Sequence, residues 1–465
     1  MFRTICSPRT WLLSALGVAS LGCNPGIYGE LIDDAPVRPF EVVPLTQGNP
    51  YGREAIKYPG GPGRDGRLLM VGDFIPVMSM VGLGVDLHGL SEHPELGAVQ
   101  SMIAPLTDLD TTNFDGIAMV PSPIPGDPTP HALVAVTSSF DTFSSRIVRI
   151  NLDTFARTEL SEDDIITPRI STSATPGFGQ DLDAFNLDGP QNQSDYEVAV
   201  GSQAGVLVYD TVGANVAQYE AARVSMGIAM DDPAGFAFTL CDELMGYRRI
   251  GHGNFGPGGA AAFVVAMPNE LVLITDQAMT NSVGAPLYDC AARRIPNPSP
   301  SAESWGWELF TTDYNGDGFD DLFVGDPSRN IVEVYEGMAN GLPNAPTFVM
   351  GPTADHFGTG EYGYSVDRAN LGGGFGEALL VGAPGSDDGR TQDVGSVFVY
   401  PIDEFGQLDL ENPIVLMDQT PQTGTRHGMW AGGLRQDEYE REEIVVLGSQ
   451  GGRVHLQIDD LDPRD

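Results

Sequence analysis

Residues 305–337 read WGWELFTTDYNGDGFDDLFVGDPSRNIVEVYEG and contain, in order, the parts of one structural unit. An aromatic residue followed by glycine leads into a short alternating segment, and a turn rich in Asp and Gly joins it to the apolar run DLFVGD. A tight turn then leads to a second alternating run, IVEVYEG. Alternating apolar runs separated by Gly, Pro and Asp predict short antiparallel strands.

The apolar run around Val324 recurs along the chain at intervals of 57 to 66 residues. The equivalent landmark positions are Val71, Val136, Val200, Val265, Val324, Val381 and Leu447. A second landmark, an aromatic residue or His followed by Gly, precedes most of these runs, and its glycine stands 18 to 21 residues before the first landmark. Its members are Tyr51, Phe178, Trp305, Tyr362 and His427. A period of this size indicates a repeat architecture.

Each repeat is predicted to supply four short strands, the fourth represented by TFVM at 347–350 and PIVLM at 413–417. Four-stranded units arranged radially form a β-propeller, which protects sheet edges by closing the circle. The seventh repeat lacks its fourth strand, whereas FEVVPL at 40–45 is one strand too many at the other end. We therefore predict an all-β, seven-bladed β-propeller of four-stranded blades, with the last blade closed by an N-terminal strand. A β-solenoid is the alternative, but it does not explain why one strand is extra at the N-terminal end and one strand is missing from the seventh repeat.

The predicted propeller spans residues 40–465. Its repeats are expected near 51–111, 112–176, 177–245, 246–303, 304–360, 361–425 and 426–465. Composition agrees with this prediction, because 58 Gly and 35 Pro residues favour turns and short strands over long helices.

The turn DYNGDGFDD is the strongest chemical motif in the chain. Its oxygen-bearing side chains are those of Asp313, Asn315, Asp317 and Asp321, and the backbone carbonyl of Phe319 is expected to be a further ligand. Alternate side chains of a tight loop can converge on one hard cation, which prefers about 6 to 8 oxygen ligands. Without a metal, the three carboxylates would repel one another. We therefore predict a structural Ca²⁺ site in this loop.

Other interpretations of the acidic turns remain open. An EF-hand requires a bidentate Glu at its twelfth position, where this chain has Val324, so that motif is excluded. A solvated acidic turn without metal is the simpler alternative. The third repeat suggests a second site at altered spacing, with Asp183, Asn186, Asp188 and Glu197. The corresponding loop of the sixth repeat is expected to bind no metal, because its positions are Asn370, Gly372, Gly374 and Ala378.

Two segments resemble a known family. The stretch at 305–337 and YGYSVDRANLGGGFGEALLVGAPGSDDGRTQDVGSVFVY at 362–400 are similar to FG-GAP repeats, which occur in integrin alpha-subunit propellers and in many bacterial surface proteins. The resemblance implies a seven-bladed propeller with calcium in the loop between the first two strands of a blade, away from the usual partner-binding face. It is specific in the fifth and sixth repeats and degenerate elsewhere. It implies no integrin partner or signalling role.

The N-terminus is predicted to be a lipoprotein-type signal peptide at 1–22. Two arginines precede an apolar run at 11–21, which is too short to cross a bilayer that needs about 20 residues. The sequence ASLGC resembles a bacterial lipobox, so Cys23 is the expected lipidated residue, and a tether at 23–39 follows it. Secretion without lipid is the alternative. We expect an exported protein, an outer-membrane or cell-surface lipoprotein that contacts the membrane only through its anchor.

Charge and cysteine content restrict the partners and the compartment. The chain has 64 Asp+Glu against 24 Lys+Arg, a formal net charge of −40, which disfavours nucleic acid because phosphate binding needs clustered cations. Cys241 and Cys290 are expected to form a disulfide after export, with two free buried thiols as the alternative. We expect a monomer.

Catalytic signatures are absent from the sequence. The seven His residues form no HExxH or other close metal-ligand pair, and no GxSxG or P-loop is present. Trp305, Trp307 and Trp430 are expected in the blade core, with a sugar-binding platform as the alternative. We predict a non-catalytic, lipid-anchored, calcium-stabilised propeller that binds an envelope partner as an adhesion module or assembly scaffold. The alternatives are a lectin for surface polysaccharide and an exported hydrolase.

Overall fold

The structure of the protein is a computed structural model. It describes residues 40–42, 51–58, 67–72, 85–93, 97–105, 112–120, 131–138, 146–152, 157–159, 179–187, 196–209, 238–255, 261–280, 286–352, 359–372, 376–403, 405–417, 423–435, 442–448 and 451–455. The predicted signal peptide 1–22, the tether 23–39 and Cys23 lie outside these segments. Within them, no helix is long and apolar enough to cross a membrane.

The described residues form seven four-stranded antiparallel sheets, which we number 1 to 7 along the chain. Sheet 1 consists of Tyr51–Tyr58, Arg67–Gly72, Val85–His93 and Gly97–Pro105, and sheet 2 of Thr112–Val120, His131–Ser138, Arg146–Asn151 and Arg157–Glu159. Sheet 3 consists of Leu182–Phe185, Glu197–Ser202, Gly205–Tyr209 and Phe238–Cys241, and sheet 4 of Arg249–Gly253, Ala262–Ala266, Glu270–Thr280 and Pro286–Pro296. Sheet 5 consists of Glu308–Thr312, Asp321–Asp326, Ile331–Tyr335 and Phe348–Met350, and sheet 6 of Ser365–Gly372, Gly376–Ala383, Ser396–Pro401 and Ile414–Met417. Sheet 7 consists of Trp430–Arg435, Glu442–Gly448, Gly451–His455 and Phe40–Val42. A two-stranded sheet, Thr359–Gly360 with Gly385–Ser386, and a 3-10 turn, Asp242–Leu244, add to these.

The predicted period corresponds to the sheets. Every landmark position from Val71 to Leu447 lies in the second strand of its sheet. The weak fourth strands predicted from the sequence are present at Phe348–Met350 and Ile414–Met417. The all-β prediction is thereby confirmed.

Both ends of the described chain meet in sheet 7. Phe40–Val42 pairs antiparallel with Gly451–His455, and Phe40 stands opposite Val454. The first strand of each sheet contacts the first strand of the next, and that of sheet 7 contacts that of sheet 1. Four-stranded antiparallel sheets in this succession are consistent with a propeller.

The apolar core lies between consecutive sheets. One cluster joins Val264 of sheet 4 to Leu322 of sheet 5, and another joins Leu380 of sheet 6 to Val446 of sheet 7. Second strands are covered on both faces, so that all six residues of Asp321–Asp326 are buried. This explains why the second strands are continuous apolar runs and do not alternate.

The aromatic-glycine landmark joins a sheet closely to the one before it. Gly306 has a φ of +75°, and a Cβ there would lie 2.5 Å from the Cβ of Ala266 in sheet 4. Its amide donates to the carbonyl of Gly325 at 3.0 Å. Gly179 repeats this arrangement, with a φ of +87° and a Cβ position 2.5 Å from the Cβ of Ala135. Both the conformation and the close approach require glycine.

Cys241 and Cys290 form the predicted disulfide, with their Cα atoms 5.4 Å apart. Cys241 ends the fourth strand of sheet 3, and Cys290 lies within the fourth strand of sheet 4. The bond therefore links neighbouring sheets through their fourth strands.

Candidate functional site

The predicted calcium loop joins the first two strands of sheet 5, Glu308–Thr312 and Asp321–Asp326. Gly316 and Gly318 have φ values of +73° and +89°, and nothing lies within 4 Å of the positions that their Cβ atoms would take. Backbone conformation and not crowding therefore requires glycine at these two positions. Residues 316–318 are exposed, so that solvent ions have access to the loop.

The polar side chains of the loop face its own backbone. The two carboxylate oxygens of Asp313 accept hydrogen bonds from the amides of Asp317 and Gly318, at 3.0 and 2.8 Å. The side-chain oxygen of Asn315 accepts the Asp317 amide at 2.9 Å, and the Asp317 carboxylate accepts the Phe319 amide at 2.9 Å. A carboxylate or amide oxygen has two acceptor sites, so each of these oxygens retains a lone pair for a cation.

Asp321 is the buried member of this set and has no exposed surface. Its carboxylate accepts the amides of Gly337 at 2.8 Å and Tyr314 at 3.2 Å. Burial, together with the nearby negative charges of Asp317 and Asp313, raises the pKa of this carboxyl to about 7, although the two hydrogen bonds lower it. A bound cation would remove the repulsion between these carboxylates.

Asp320 faces away from the loop interior, as the alternation of a strand predicts. Its carboxylate accepts the backbone amide of Asn254 at 2.7 Å and the side-chain amide of the same residue at 3.1 Å. A Cβ on Gly337 would lie 2.4 Å from the carbonyl oxygen of Asp320, so the base of the loop is closely packed. These contacts attach the loop to its own sheet and to the residue that follows the first strand of sheet 4.

Within the described segments, no group of three or more His, Cys, Asp or Glu side chains is arranged to hold a metal ion. The carboxylates of the loop are turned towards amides instead. The ligand set therefore remains a prediction, and its members are Asp313, Asn315, Asp317, Phe319 and Asp321.

The acidic residues of the third repeat are divided between a strand and a loop. Asp183 lies in the first strand of sheet 3, and its carboxylate is 2.8 Å from Nδ1 of His252 in sheet 4. Phe185 stacks on the imidazole with ring centroids 4.3 Å apart. Burial lowers the pKa of His252, but the charge and hydrogen bond of Asp183, together with the charge of Asp320, outweigh burial and raise it. Asp183 thus pairs with the neighbouring sheet.

Glu197 takes the place in sheet 3 that Asp321 has in sheet 5. It is buried at the start of the second strand and accepts the Leu187 amide at 2.6 Å. Asn186 lies in the described part of the loop, whereas Asp188 lies outside it. A second calcium site in this repeat stays a prediction.

The two tryptophans of the fifth repeat have different environments. Trp305 has no exposed surface, and its indole N–H donates to Glu333 at 2.8 Å, as expected for a core residue. Trp307 is half-buried, its ring lies 5.2 Å from that of Tyr364, and it lines a pocket. Trp430 is also half-buried, at the start of sheet 7.

A buried charge cluster at the far end of sheet 5 was not anticipated from the sequence. Asp326 and Glu333 are both buried, and Arg329 contacts them at 2.6 and 2.7 Å. Burial raises the pKa of Asp326, but hydrogen bonds from Arg329, Ser328 and Ser304 outweigh burial and lower it. The sequence signal was available, since Asp326, Arg329 and Glu333 are spaced three and four residues apart across a tight turn.

A pocket of about 190 Å³ opens at the end of sheet 5 opposite the calcium loop. It lies where the first strands of sheets 4, 5 and 6 begin, and its lining includes Arg248, Arg249, Trp307, Glu308 and Tyr364. Arg248, Trp307 and Tyr364 occupy equivalent positions in their repeats. The backbone amide of each donates a hydrogen bond to the backbone carbonyl of the residue that follows the landmark valine of the same repeat. The equivalence of these three positions was not anticipated from the sequence.

Comparison with known proteins confirms the predicted resemblance. The family model described as FG-GAP repeat matches residues 305–338, a span that includes the aromatic-glycine landmark, the calcium loop and the second and third strands of sheet 5. Residues 305–338 are therefore similar to an FG-GAP repeat. A stretch of 102 residues of this chain is 33% identical to integrin alpha-5 of Xenopus laevis. The match covers 21% of this chain and 9% of that relative, so only a small part of the relative is represented.

Proposed function

We propose that this FG-GAP protein is a calcium-stabilised, seven-bladed β-propeller that binds a partner at the cell envelope and is not an enzyme. The observation that carries the proposal is the FG-GAP repeat, in which a loop with Asp313, Asp317 and the buried Asp321 joins the first two strands of sheet 5. Rigid β-scaffolds commonly place their binding residues on the loops that connect the strands.

The contacts between strands support a closed ring of seven blades. First strands contact one another in cyclic order through all seven sheets. Phe40–Val42 supplies the fourth strand of sheet 7, whose other three strands come from the C-terminal end of the described chain. A ring closed by strands from both ends of the chain would unfold as one cooperative unit.

A calcium ion in the loop of sheet 5 would be held by Asp313, Asn315, Asp317, Asp321 and the Phe319 carbonyl. Hydrogen bonds already orient Asp313 and Asp321. Burial, together with the negative charges of Asp317 and Asp313, raises the pKa of Asp321, and a bound cation would offset both effects. An ion that binds only the folded state stabilises that state. We therefore assign the ion a structural role.

A binding role is supported by the likeness to integrin alpha-5, whose match points to a binding domain and not to catalysis. The propeller would present its partner with loops at the ends of the strands, as an adhesion module or an assembly scaffold. A lectin is the second candidate function, and the pocket lined by Trp307 and Tyr364 is the observation that favours it.

Export and lipidation at Cys23 are proposed from the sequence. The disulfide between Cys241 and Cys290 supports export, because such bonds persist in oxidising compartments. The proposed location is the outer membrane or cell surface, with the lipid as the contact between a monomeric propeller and the membrane.

The proposal is tested by adding the purified Cys23→Ser protein, which has no lipid, to intact cells and isolated envelope of the producing organism. We expect saturable binding that requires calcium and is lost after protease treatment of the envelope. Loss after digestion of the polysaccharide would favour the lectin instead. No binding under any of these conditions would contradict the proposed function.

A further inference from the structure

We infer that the pocket where the first strands of sheets 4, 5 and 6 begin binds one neutral sugar ring of a glycan. We call it the Trp307 pocket, defined by Arg248, Arg249, Trp307, Glu308 and Tyr364 together with Glu303 and Ser304. The inference depends on the proposed function only in that the protein is a binding module. The calcium loop lies at the other end of sheet 5, so both sites can be occupied together.

The rings that form the aromatic wall of the Trp307 pocket are held by contact with each other and with Arg426. The rings of Trp307 and Tyr364 are 5.2 Å apart at an angle of 51°. The guanidinium of Arg426 lies over the Tyr364 ring, 5.9 Å from its centroid, and Glu361 binds Arg426 at 2.5 Å. A wall with fixed rings stacks on a ligand at little cost in side-chain entropy.

The residues that hold this wall have strained backbones. Glu361 and Arg426 have φ values of +64° and +51°, and Asp393, whose carbonyl accepts the Arg426 amide at 2.9 Å, has a φ of +51°. Residues other than glycine occupy this region at an energetic cost, and such residues are concentrated at binding and catalytic sites. These backbone conformations are an observation independent of the pocket itself.

The charges in the Trp307 pocket balance. The lining contains two arginines and two glutamates, and Arg249 lies 3.7 Å from Glu308 and 3.8 Å from Asp181. Arg248 donates to the carbonyl oxygen of Trp305 at 2.7 Å. The site therefore offers both hydrogen-bond donors and acceptors without selecting a charged ligand, and the net charge of −40 disfavours anions.

The ligand that fits this lining is a ring that carries hydroxyl groups at its edge and C–H groups on its face. The C–H face would stack on Trp307 and Tyr364, and the hydroxyl groups would pair with Arg and Glu side chains. The pocket volume of about 190 Å³ is below the roughly 300–1,000 Å³ of sites for drug-sized ligands. One pyranose ring is the size of occupant that such a volume suggests.

Saturation-transfer NMR of the purified, exported protein with methyl glycosides of glucose, mannose, galactose and N-acetylglucosamine tests the inference. We expect at least one of them to bind, and Trp307→Ala to weaken that binding by roughly tenfold or more, while Trp307→Phe retains most of it. Phe405→Ala is the matched control, because Phe405 is an aromatic residue that is 74% exposed and does not line the pocket. Its binding should equal that of the unmodified protein.

If Trp307→Ala fails to fold, the indole N–H signal of Trp307, identified from the spectrum of Trp307→Phe, reports binding in the unmodified protein. A shift of this signal on addition of sugar supports the inference. It is overturned if no neutral glycoside binds, if glucuronic acid or glucosamine binds more tightly, or if Trp307→Ala and Phe405→Ala bind alike. Envelope binding that persists while sugars fail to bind would reject this inference and leave the proposed function intact.

Discussion

Two aspartates at opposite ends of the second strand of sheet 5 have different electrostatic environments. Asp321 and Asp326 are equally buried, but Arg329 neutralises Asp326 and lowers its pKa with two serines. Among the described residues no Lys or Arg pairs with Asp321, and its pKa is raised to about 7. The carboxylate of Asp326 is thus paired with an arginine of the protein, whereas the carboxylate of Asp321 is suited to binding a cation from solution.

The raised pKa of Asp321 predicts how the stability of the calcium-free protein depends on pH. The carboxyl ionises near pH 4 in the unfolded chain and near pH 7 in the folded protein. Between these values the folded state retains a proton that the unfolded state has released. The free energy of unfolding should therefore fall as the pH rises from about 4 to about 7, by at most roughly 4 kcal/mol.

Melting temperatures measured in chelator across this pH range test the dependence on Asp321. The side chain of Asn cannot ionise, so Asp321→Asn should reduce the fall in stability between pH 4 and pH 7. The variant also loses one of the two hydrogen bonds from backbone amides, so its stability should already be lower at pH 4. Calcium should reverse the trend, since it binds the ionised form. Identical slopes in the Asn variant and the unmodified protein would contradict the role of this carboxyl.

Gly306 should tolerate no side chain. Gly306→Ala places a methyl group against Ala266 and should cost about 1–3 kcal/mol for overpacking, in addition to about 1–2 kcal/mol for the left-handed backbone. Gly246→Ala is the matched control, because Gly246 has a φ of +77° but open space around its Cβ position. Chemical denaturation should show the larger loss for Gly306→Ala, and equal losses would mean that the close approach between sheets 4 and 5 is unimportant.

At the scale of elements, the sequence predicted strands better than it predicted the contacts between them. The landmark valines were placed correctly in second strands because those strands are buried on both faces and keep an apolar run. The pairing of Asp183 with His252 joins residues 69 positions apart on different sheets, and no local pattern indicates it. The Trp307 pocket was missed for the same reason, since three repeats contribute to it.

The loop of the FG-GAP repeat predicts a stabilisation by calcium that depends on Asp317. Calcium at about 100 times its dissociation constant should stabilise the folded state by about 2.7 kcal/mol, and Asp317→Ala should abolish the resulting rise in melting temperature. Asp242→Ala removes an exposed carboxylate at sheet 3 and should leave the rise unchanged. A protein that melts at the same temperature in calcium and in chelator would contradict the site.

The disulfide between sheets 3 and 4 should contribute measurably to stability. Its cysteines are 49 residues apart, for which the chain-entropy model gives about 4 kcal/mol. The double variant Cys241→Ser, Cys290→Ser should therefore melt at a lower temperature by calorimetry, and a reducing agent should bring the unmodified protein to the same value. A reducing agent that leaves the melting temperature unchanged would show that the bond is absent or without effect.

At the scale of the whole molecule, the proposed ring separates two kinds of site. The predicted calcium loop of sheet 5 lies where its first strand ends, and the Trp307 pocket lies where that strand begins, so that the two proposed sites occupy opposite ends of the strand. The surplus N-terminal strand was predictable because it matched a deficit elsewhere in the repeat pattern. The number of four-stranded sheets follows from the period of the sequence, whereas the proposed closure of the ring depends on contacts between the two ends of the described chain.

The most direct test of this account is a crystal structure of the exported protein grown in the presence of calcium. We expect a closed ring of seven four-stranded blades, with Phe40–Val42 completing the last blade and a calcium ion in the loop between Asp313 and Asp321. Anomalous scattering would identify the ion. An open array of sheets, or a loop that stays empty at saturating calcium, would contradict it.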